Sequence, residues 1–232
     1  MGSYMKKKNF YSELAYVAGM LLLPLGIVFM EKANLGLSTV AAPAYLLFRK
    51  ISPVFSFYTF GTSEFCLQVI VLIIMVCILR KFRLSFLFSF ITTFLFSRVL
   101  DLYMIIFPFP APDTIFLRIV FFAIGDLLSL IGVCFFFRTY ISPEVYDIFV
   151  RDLAAHFNVS ISRFKTGFDC VFATFGISLS FSFYGLWQFE GVKIGTLFCA
   201  VFNGTIIGWI GAILDRRFDF PARWAKFQKY FI

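Results

Sequence analysis

Six long stretches of the chain are almost entirely apolar, and most polar residues lie between them. Each stretch has about 20 residues, which is the length at which an α-helix crosses the hydrocarbon core of a bilayer. The pattern therefore predicts an all-α polytopic membrane protein with six transmembrane helices. The predicted spans cover residues 12–31, 60–79, 84–107, 115–137, 164–184 and 192–214.

Two shorter segments of mixed polarity, residues 39–50 and 143–157, follow the first and fourth of these stretches. The first is too short to span a bilayer and is interrupted by Pro43. The second starts with Ser-Pro-Glu, which suits a helix N-terminus, where proline is tolerated and an acid is stabilised by the helix dipole. We predict two short helices that are re-entrant or lie in the membrane interface. The alternative is that each crosses as a half-span, giving four plus four helices and parallel repeats.

A faint repeat relates the two halves of the chain. Residues 19–32 align with residues 125–138, and Gly, Leu, Leu, Gly and Phe are identical at matched positions. Such self-similarity in a membrane protein indicates a duplication. Because three spans per copy is an odd number, the second copy enters the membrane upside down. We expect two inverted three-helix repeats, at residues 12–107 and 115–214.

The flanking segments carry different signals. Residues 1–11 are expected to combine a tag remnant, ending before Met5, with a cytoplasmic N-terminus. Residues 215–232 mix Arg and Lys with Phe, Trp and Tyr. A basic, aromatic tail next to a membrane favours anionic lipid headgroups, so we expect the tail to bind membrane lipids rather than a docking partner.

Composition supports a lipid environment. The chain has 232 residues, of which 60% are hydrophobic and 15% charged, whereas an ordinary soluble domain is about 45–50% apolar and about 25% charged. The net charge is +8, but the cations lie at the ends of apolar stretches, so they indicate topology and not nucleic-acid binding. Their bias places both termini in the cytoplasm by the positive-inside rule.

Five ionisable residues are prominent inside the predicted spans, where charge is costly and each is a functional candidate by default. They are Glu64, Arg98, Asp101, Asp126 and Asp169. Arg98 and Asp101 are three residues apart, so they share a helix face and can pair. Arg98 is also a candidate counter-ion for Asp126 across the bundle. For each group the structural alternative is an ion pair that only stabilises the bundle.

Glu64 and Asp169 occupy near-equivalent places in the two halves, close to the starts of their helices. They either complement the helix dipoles or form paired gates on opposite sides of a central cavity. Gln68, one helical turn beyond Glu64, favours a polar path. In the loop before the first short helix, Asn34 and Ser38 either help to expose backbone N–H groups to an anionic group or belong to a simple turn.

Small residues are spaced along the last predicted span, including Gly204 and Gly208. Glycines at this spacing let helices approach closely. The contact is expected within the bundle, with a homodimer through the Gly204/Gly208 face as the alternative.

One segment supports a family resemblance. Residues 32–38 read Lys-Ala-Asn-Leu-Gly-Leu-Ser, which resembles the A-N-L-G-x-S signature of the bacterial YczE/YyaS/YitT group of integral membrane proteins. Tyr146, Asp147 and Asp169 extend the resemblance into the second half, whereas residues 39–41 (Thr-Val-Ala) depart from the Pro, aromatic and Asp that the family often carries. The resemblance implies a small multi-pass protein of the bacterial cytoplasmic (inner) membrane with a transport role and no defined substrate.

The predicted function is a small secondary-type transporter or exporter, with its site near the midplane between the repeats. No phosphate loop, Ser-His-Asp set, metal-ligand cluster or haem motif is visible in the sequence, so we predict no catalysis, metal or cofactor. The alternatives are a substrate-binding or regulatory subunit that works with a separate ATPase, and a lipid-handling flippase or enzyme. The predicted residues for a small-molecule or lipid substrate are Asn34, Ser38, Glu64, Gln68, Arg98, Asp101, Asp126, Tyr146, Asp147 and Asp169.

Overall fold

In a computed structural model that describes residues 7–224 and Gln228, the chain is an all-α bundle. Six of the helices are long and apolar enough to cross a membrane, which confirms the polytopic all-α fold. The described helices are α1 (Ser12–Ala33), α2 (Ala41–Ile51), α3 (Phe60–Leu79), α4 (Leu84–Ile106), α5 (Ile115–Phe136), α6 (Val145–His156), α7 (Ile161–Tyr184) and α8 (Ile194–Arg217).

The helix boundaries differ from the predicted ones by a few residues. α7 begins at Ile161, before the predicted start, because Ser160 in extended backbone ends the loop there. α1 continues to Ala33, and Asn34 ends it by taking a left-handed conformation with φ 53°. These ends are polar, so hydropathy alone does not detect them.

A two-residue parallel strand pair joins the ends of the described chain, which hydropathy did not predict. β1 (Lys8–Asn9) pairs with β2 (Phe218–Asp219). The pairing places the start of the basic tail beside the start of α1. The predicted tag remnant (residues 1–4) and most of the predicted lipid-binding tail (residues 225–227 and 229–232) lie outside the described residues.

Among the described helices, α1 and α5, which carry the sequence repeat, form the most extensive helix–helix contact. Gly26 faces the backbone carbonyl of Gly125, and Gly19 faces that of Gly132. Residues late in one helix meet residues early in the other, so the two helices run antiparallel. Small residues permit this approach because a Cβ at any of these positions would meet the partner helix.

The two short helices pack at opposite ends of the bundle. α2 runs along α7, from the contact of Thr39 with Asp169 to that of Lys50 with the Phe183 carbonyl. Lys193, at the start of α8, contacts Asn34, at the end of α1. The connection from α7 to α8 therefore lies on the side of the bundle where α1 ends, and α2 runs back toward that side. With 11 residues, α2 is about 17 Å long, roughly half the bilayer core. This length is too short to span a bilayer, so α2 stays predicted as a re-entrant or interfacial helix.

α6 follows the same plan at the other end. Its start contacts Gln68 in the middle of α3, and Asp152 near its end pairs with Arg83, between α3 and α4. α6 therefore returns toward the side on which α3 ends. The two short helices therefore follow matching paths, and their membrane position stays a prediction.

The small residues of α8 pack against α7. The hydroxyl of Ser162 donates to the Gly204 carbonyl at 2.6 Å, and Thr166 also lies against Gly204. Gly204 therefore serves packing within the bundle, while a homodimer stays a prediction.

Candidate functional site

The N-terminal ends of α2 and α6 open onto one small cavity at the centre of the bundle. Its volume is about 40 Å³, which holds one or a few water-sized groups and no larger solute. The polar residues that line it are Ser38, Thr39, Glu64, Ser129, Glu144, Tyr146, Asp147, Lys165 and Asn203. Apolar side chains from α1, α4, α5 and α8 complete the wall.

On one side of the cavity, Gln68 organises the start of α6. Its Nε2 donates to Oε2 of Glu144 at 2.9 Å, and its Oε1 accepts from the Thr93 hydroxyl at 2.8 Å and from the Val145 backbone N–H at 3.0 Å. Gln68 is fully buried and Glu144 is 3% exposed. The amide therefore acts as a positioning group that ties α3, α4 and α6 together and presents Glu144 to the cavity.

On the other side of the cavity, Asp169 contacts two polar side chains, one in the loop before α2 and one on α7 itself. It accepts a hydrogen bond from the Thr39 hydroxyl at 2.7 Å and forms a salt bridge with Lys165, one turn earlier on α7. Lys165 is 7% exposed and Asp169 is 1% exposed. Thr39 precedes α2, so its hydrogen bond with Asp169 holds the N-terminal end of α2 against α7.

Several buried polar atoms that face the cavity have no hydrogen-bond partner among the described residues. They are both carboxylate oxygens of Glu64, Oδ2 of Asp147, the Tyr146 hydroxyl and Oδ1 of Asn203. The Tyr146 hydroxyl lies beside the Glu64 carboxylate but does not form a hydrogen bond of ordinary geometry with it. Leaving such groups unpaired costs about 1–3 kcal/mol each, so their concentration here marks a place where a ligand, a water or a proton binds.

The centre is strongly acidic. Glu64, Glu144, Asp147 and Asp169 are all at most 3% exposed, and Lys165 is the one cation among the cavity-lining residues. Burial raises the pKa of Glu144 well above its ordinary value, and the carboxylates of Asp147 and Glu64 raise it further. Burial also raises the pKa of Asp147, which Lys165 partly opposes. These carboxyl groups are therefore able to hold protons.

Asp126 forms a second polar group next to this centre. Its Oδ1 accepts from Nδ2 of Asn203 at 2.9 Å and from the Cys199 thiol at 3.5 Å. Asn203 also lines the central cavity. Asp126 is therefore connected to the cavity through the side chain of Asn203. The predicted counter-ion is wrong: Arg98 is not among the partners of Asp126.

Of the predicted site residues, Ser38, Glu64, Tyr146 and Asp147 line the central cavity. Gln68 and Asp169 belong to the same cluster through Glu144 and Lys165. Asn34, Arg98 and Asp101 lie elsewhere. Asn34 ends α1 and accepts a hydrogen bond from Lys193 at 2.6 Å, so it serves as a turn residue.

Arg98 and Asp101 do pair, at 3.5 Å, but Asp101 has a different main role. Its two oxygens accept from the Gly61 backbone N–H at 2.7 Å and the Thr59 hydroxyl at 2.8 Å. Asp101 therefore caps the N-terminus of α3 from the neighbouring helix, while the Arg98 side chain is 48% exposed.

This cap predicts unequal mutational effects. Asp101→Asn should lower the free energy of unfolding by about 1–3 kcal/mol, because charged hydrogen bonds to a helix end are lost. Arg98→Gln should change it by less than about 1 kcal/mol, since an exposed pair contributes little. Reversible unfolding of both variants in mixed micelles measures the difference, and equal losses would contradict the capping role.

Sequence reasoning did not include Glu144, Lys165 and Thr39 among the predicted site residues. Glu144 reads as an ordinary acid at a helix start, and Lys165 as one more cation near the cytoplasm. The spacing of Lys165 and Asp169, four residues apart on one helix, was an available signal for their pairing. No local signal connects Glu144 with Gln68, since these residues are far apart in sequence.

Comparison with known proteins places the chain in a family. A family model described as a family of unknown function, DUF6198, matches residues 10–212. The chain belongs to the DUF6198 family. The match covers every residue of the central cluster, and it gives no support to the YczE/YyaS/YitT name. Neither a curated protein nor a solved structure matches the chain.

Proposed function

We propose that this DUF6198 protein is a small secondary-type transporter driven by protonation of its central carboxyl groups. The observation that carries the proposal is the buried acidic cluster that includes one lysine, in which Glu64 has no hydrogen-bond partner among the described residues. Buried ionisable groups inside a membrane bundle are typical of proton and substrate pathways. Transport rather than catalysis fits a site whose polar groups face an enclosed cavity.

Symmetry of the packing supports an inverted duplication. The repeat makes Gly19 equivalent to Gly125 and Gly26 equivalent to Gly132, and the observed contacts are Gly19 with Gly132 and Gly26 with Gly125. Exchange of the two halves converts one contact into the other. The neighbours follow the same rule: α1 contacts α4 as α5 contacts α8, and α2 contacts α7 as α6 contacts α3. Such pseudo-two-fold folds allow one half to rock against the other.

Polar contacts link neighbouring elements at both ends of the bundle. At one end Lys193 binds Asn34, and the Leu37 N–H donates to the Gly191 carbonyl at 3.1 Å. At the other end Arg138 forms a bidentate pair with Asp215, with both distances 2.7 Å. In the proposed alternating-access cycle, we assign this arrangement to the occluded state between inward and outward opening.

Protons are the coupling ion that fits this centre. Among the described residues, no group of three or more His, Cys, Asp or Glu side chains is arranged to hold a metal ion. Burial favours the neutral form of a carboxyl group, so proton loss there requires a compensating charge or the opening of the site to water. Protonation and opening are therefore energetically linked.

A proton-movement assay tests this function. Purified protein in vesicles that contain a pH-sensitive dye is exposed in turn to ethidium, glutamate and sorbitol, which represent cationic, anionic and neutral solutes. We expect at least one of them to drive protein-dependent proton movement, and Glu64→Gln to reduce it to the rate of empty vesicles. Glu190→Gln, in the loop before α8, is the matched control and should behave as wild type. Absence of solute-driven proton movement in the wild type, or wild-type movement in Glu64→Gln, overturns the proposal.

The remaining proposals concern location and lipid contact. The six apolar helices make a multi-pass membrane protein, and the bacterial inner membrane with cytoplasmic termini is the proposed location. Binding of anionic lipids by the basic tail is part of the same proposal, since the described start of the tail lies beside α1 through the β1–β2 pair.

A further inference from the structure

An open apolar groove lies between α5 and α8, on the flank of the bundle. Its volume is about 410 Å³, ten times that of the central cavity. Ile119, Leu127 and Phe198 on its walls are 53%, 51% and 43% exposed, and Phe122 packs edge-to-face on Phe198. Exposed apolar side chains on a membrane-spanning helix face the lipid, so the groove opens to the bilayer.

The groove contains one charged residue, Asp126. Asp126 is 5% exposed, and both of its hydrogen-bond donors, Asn203 and Cys199, are neutral. No salt bridge of the described chain includes it. Its second oxygen, Oδ2, accepts no hydrogen bond from the described residues. An acid in this setting is costly, which makes it a functional candidate rather than a packing residue.

Asn203 connects the groove with the centre. Its Nδ2 donates to Asp126, which lines the groove, while Asn203 itself lines the central cavity and its Oδ1 has no hydrogen-bond partner among the described residues. A single side chain therefore separates the lipid-facing groove from the buried acids. The central cavity is too small for an organic solute in this state, whereas the groove has the size of a drug-like ligand site.

We propose that the groove binds a lipophilic organic cation, which enters from the bilayer between α5 and α8 and places its charge on Asp126. The apolar walls match the hydrocarbon part of such a ligand, and the carboxylate matches its charge. A neutral lipid tail leaves the carboxylate unpaired, and a small hydrophilic cation leaves the walls unfilled. Binding at the groove stands by itself, and delivery of the bound cation across the membrane rests on the proposed transport function.

Equilibrium binding to the full chain in detergent tests the proposal with three probes. Tetraphenylphosphonium is a lipophilic cation, tetraphenylborate has the same shape with negative charge, and tetramethylammonium is a small hydrophilic cation. We expect only tetraphenylphosphonium to bind. Asp126→Asn should weaken its binding roughly ten- to a hundredfold, because a charged contact in an apolar site is lost. Ala123→Trp, which fills the groove, should abolish it.

Two matched variants control for charge and bulk. Asp113→Asn removes an exposed acid in the loop before α5. Ile124→Trp introduces the same tryptophan side chain one position along α5, outside the groove. Both should bind tetraphenylphosphonium as the wild type does. If Asp126→Asn does not fold, tetraphenylphosphonium binding is measured instead with Asp126→Glu, which keeps the negative charge.

The outcomes separate this proposal from the transport function. Equal binding of tetraphenylborate would show an apolar groove that holds lipid tails only, and unchanged binding in Asp126→Asn or Ala123→Trp would show a different site; each overturns the proposal. Absence of tetraphenylphosphonium binding in the wild type also overturns it, even where solute-driven proton movement persists. Binding without proton movement leaves the groove assigned and overturns the transport function instead.

Discussion

Lys165→Met lowers the free energy of unfolding by about 3–5 kcal/mol, the cost of leaving a buried charge without its partner. Asp169 is 1% exposed and has no other cation among its hydrogen-bond partners. Met keeps the length and apolar stem of Lys but not the charge. The remaining Thr39 hydroxyl donates one hydrogen bond, which does not neutralise a carboxylate. The measurement is reversible unfolding of the purified protein in mixed micelles.

The double variant with Asp169→Asn in the same chain isolates the charge. We expect it to regain most of the lost stability, because replacing both members of a buried pair is far less costly than removing one. Asp169→Asn alone leaves the lysine unpaired and should also destabilise. If Lys165→Met alone unfolds as the wild type does, the carboxyl of Asp169 is protonated in the folded state and the ion pair is absent.

Gly26→Leu prevents α1 and α5 from reaching their observed separation, and we expect little folded protein. A Cβ at Gly26 would clash with the backbone carbonyl of Gly125 and the Ser129 hydroxyl. Backbone atoms cannot move aside as a flexible side chain does, so the helices must separate. Overpacking of a tight contact commonly costs about 1–3 kcal/mol, and more where backbone atoms are involved. Because the same crossing holds Leu23 and Ile27 against the central cavity, the site is lost with it.

Gly167→Leu provides the matched control. Gly167 lies within α7, and a Cβ there has no neighbouring atom within 4 Å. Leucine should be neutral or should stabilise the helix by up to about 1 kcal/mol, because glycine is a poor helix former. The yield of monodisperse protein and the midpoint of thermal unfolding compare the two variants. A folded Gly26→Leu protein with wild-type stability would contradict the observed helix crossing.

Hydropathy and residue type determined the six spans, the two short helices and the presence of single acids within apolar segments. These features depend on local solvation: a chain segment in lipid must satisfy its own backbone hydrogen bonds, so a long apolar run predicts a helix. The same cost of charge in lipid identified Glu64, Asp126 and Asp169 as candidates before any contact was known.

Tertiary structure alone decided which of these groups meet. Gln68 and Glu144 come from different halves, and Asp101 caps a helix other than its own. Such contacts depend on the rotation and crossing of each helix, which close contacts of small residues set, and nearly uniform apolar surfaces carry little of that information. By itself the sequence determined that buried acids exist. The α1–α5 contact and the two short helices determined that Glu64, Glu144 and Asp147 line one cavity with Lys165, and that Asp126 lines a separate apolar groove.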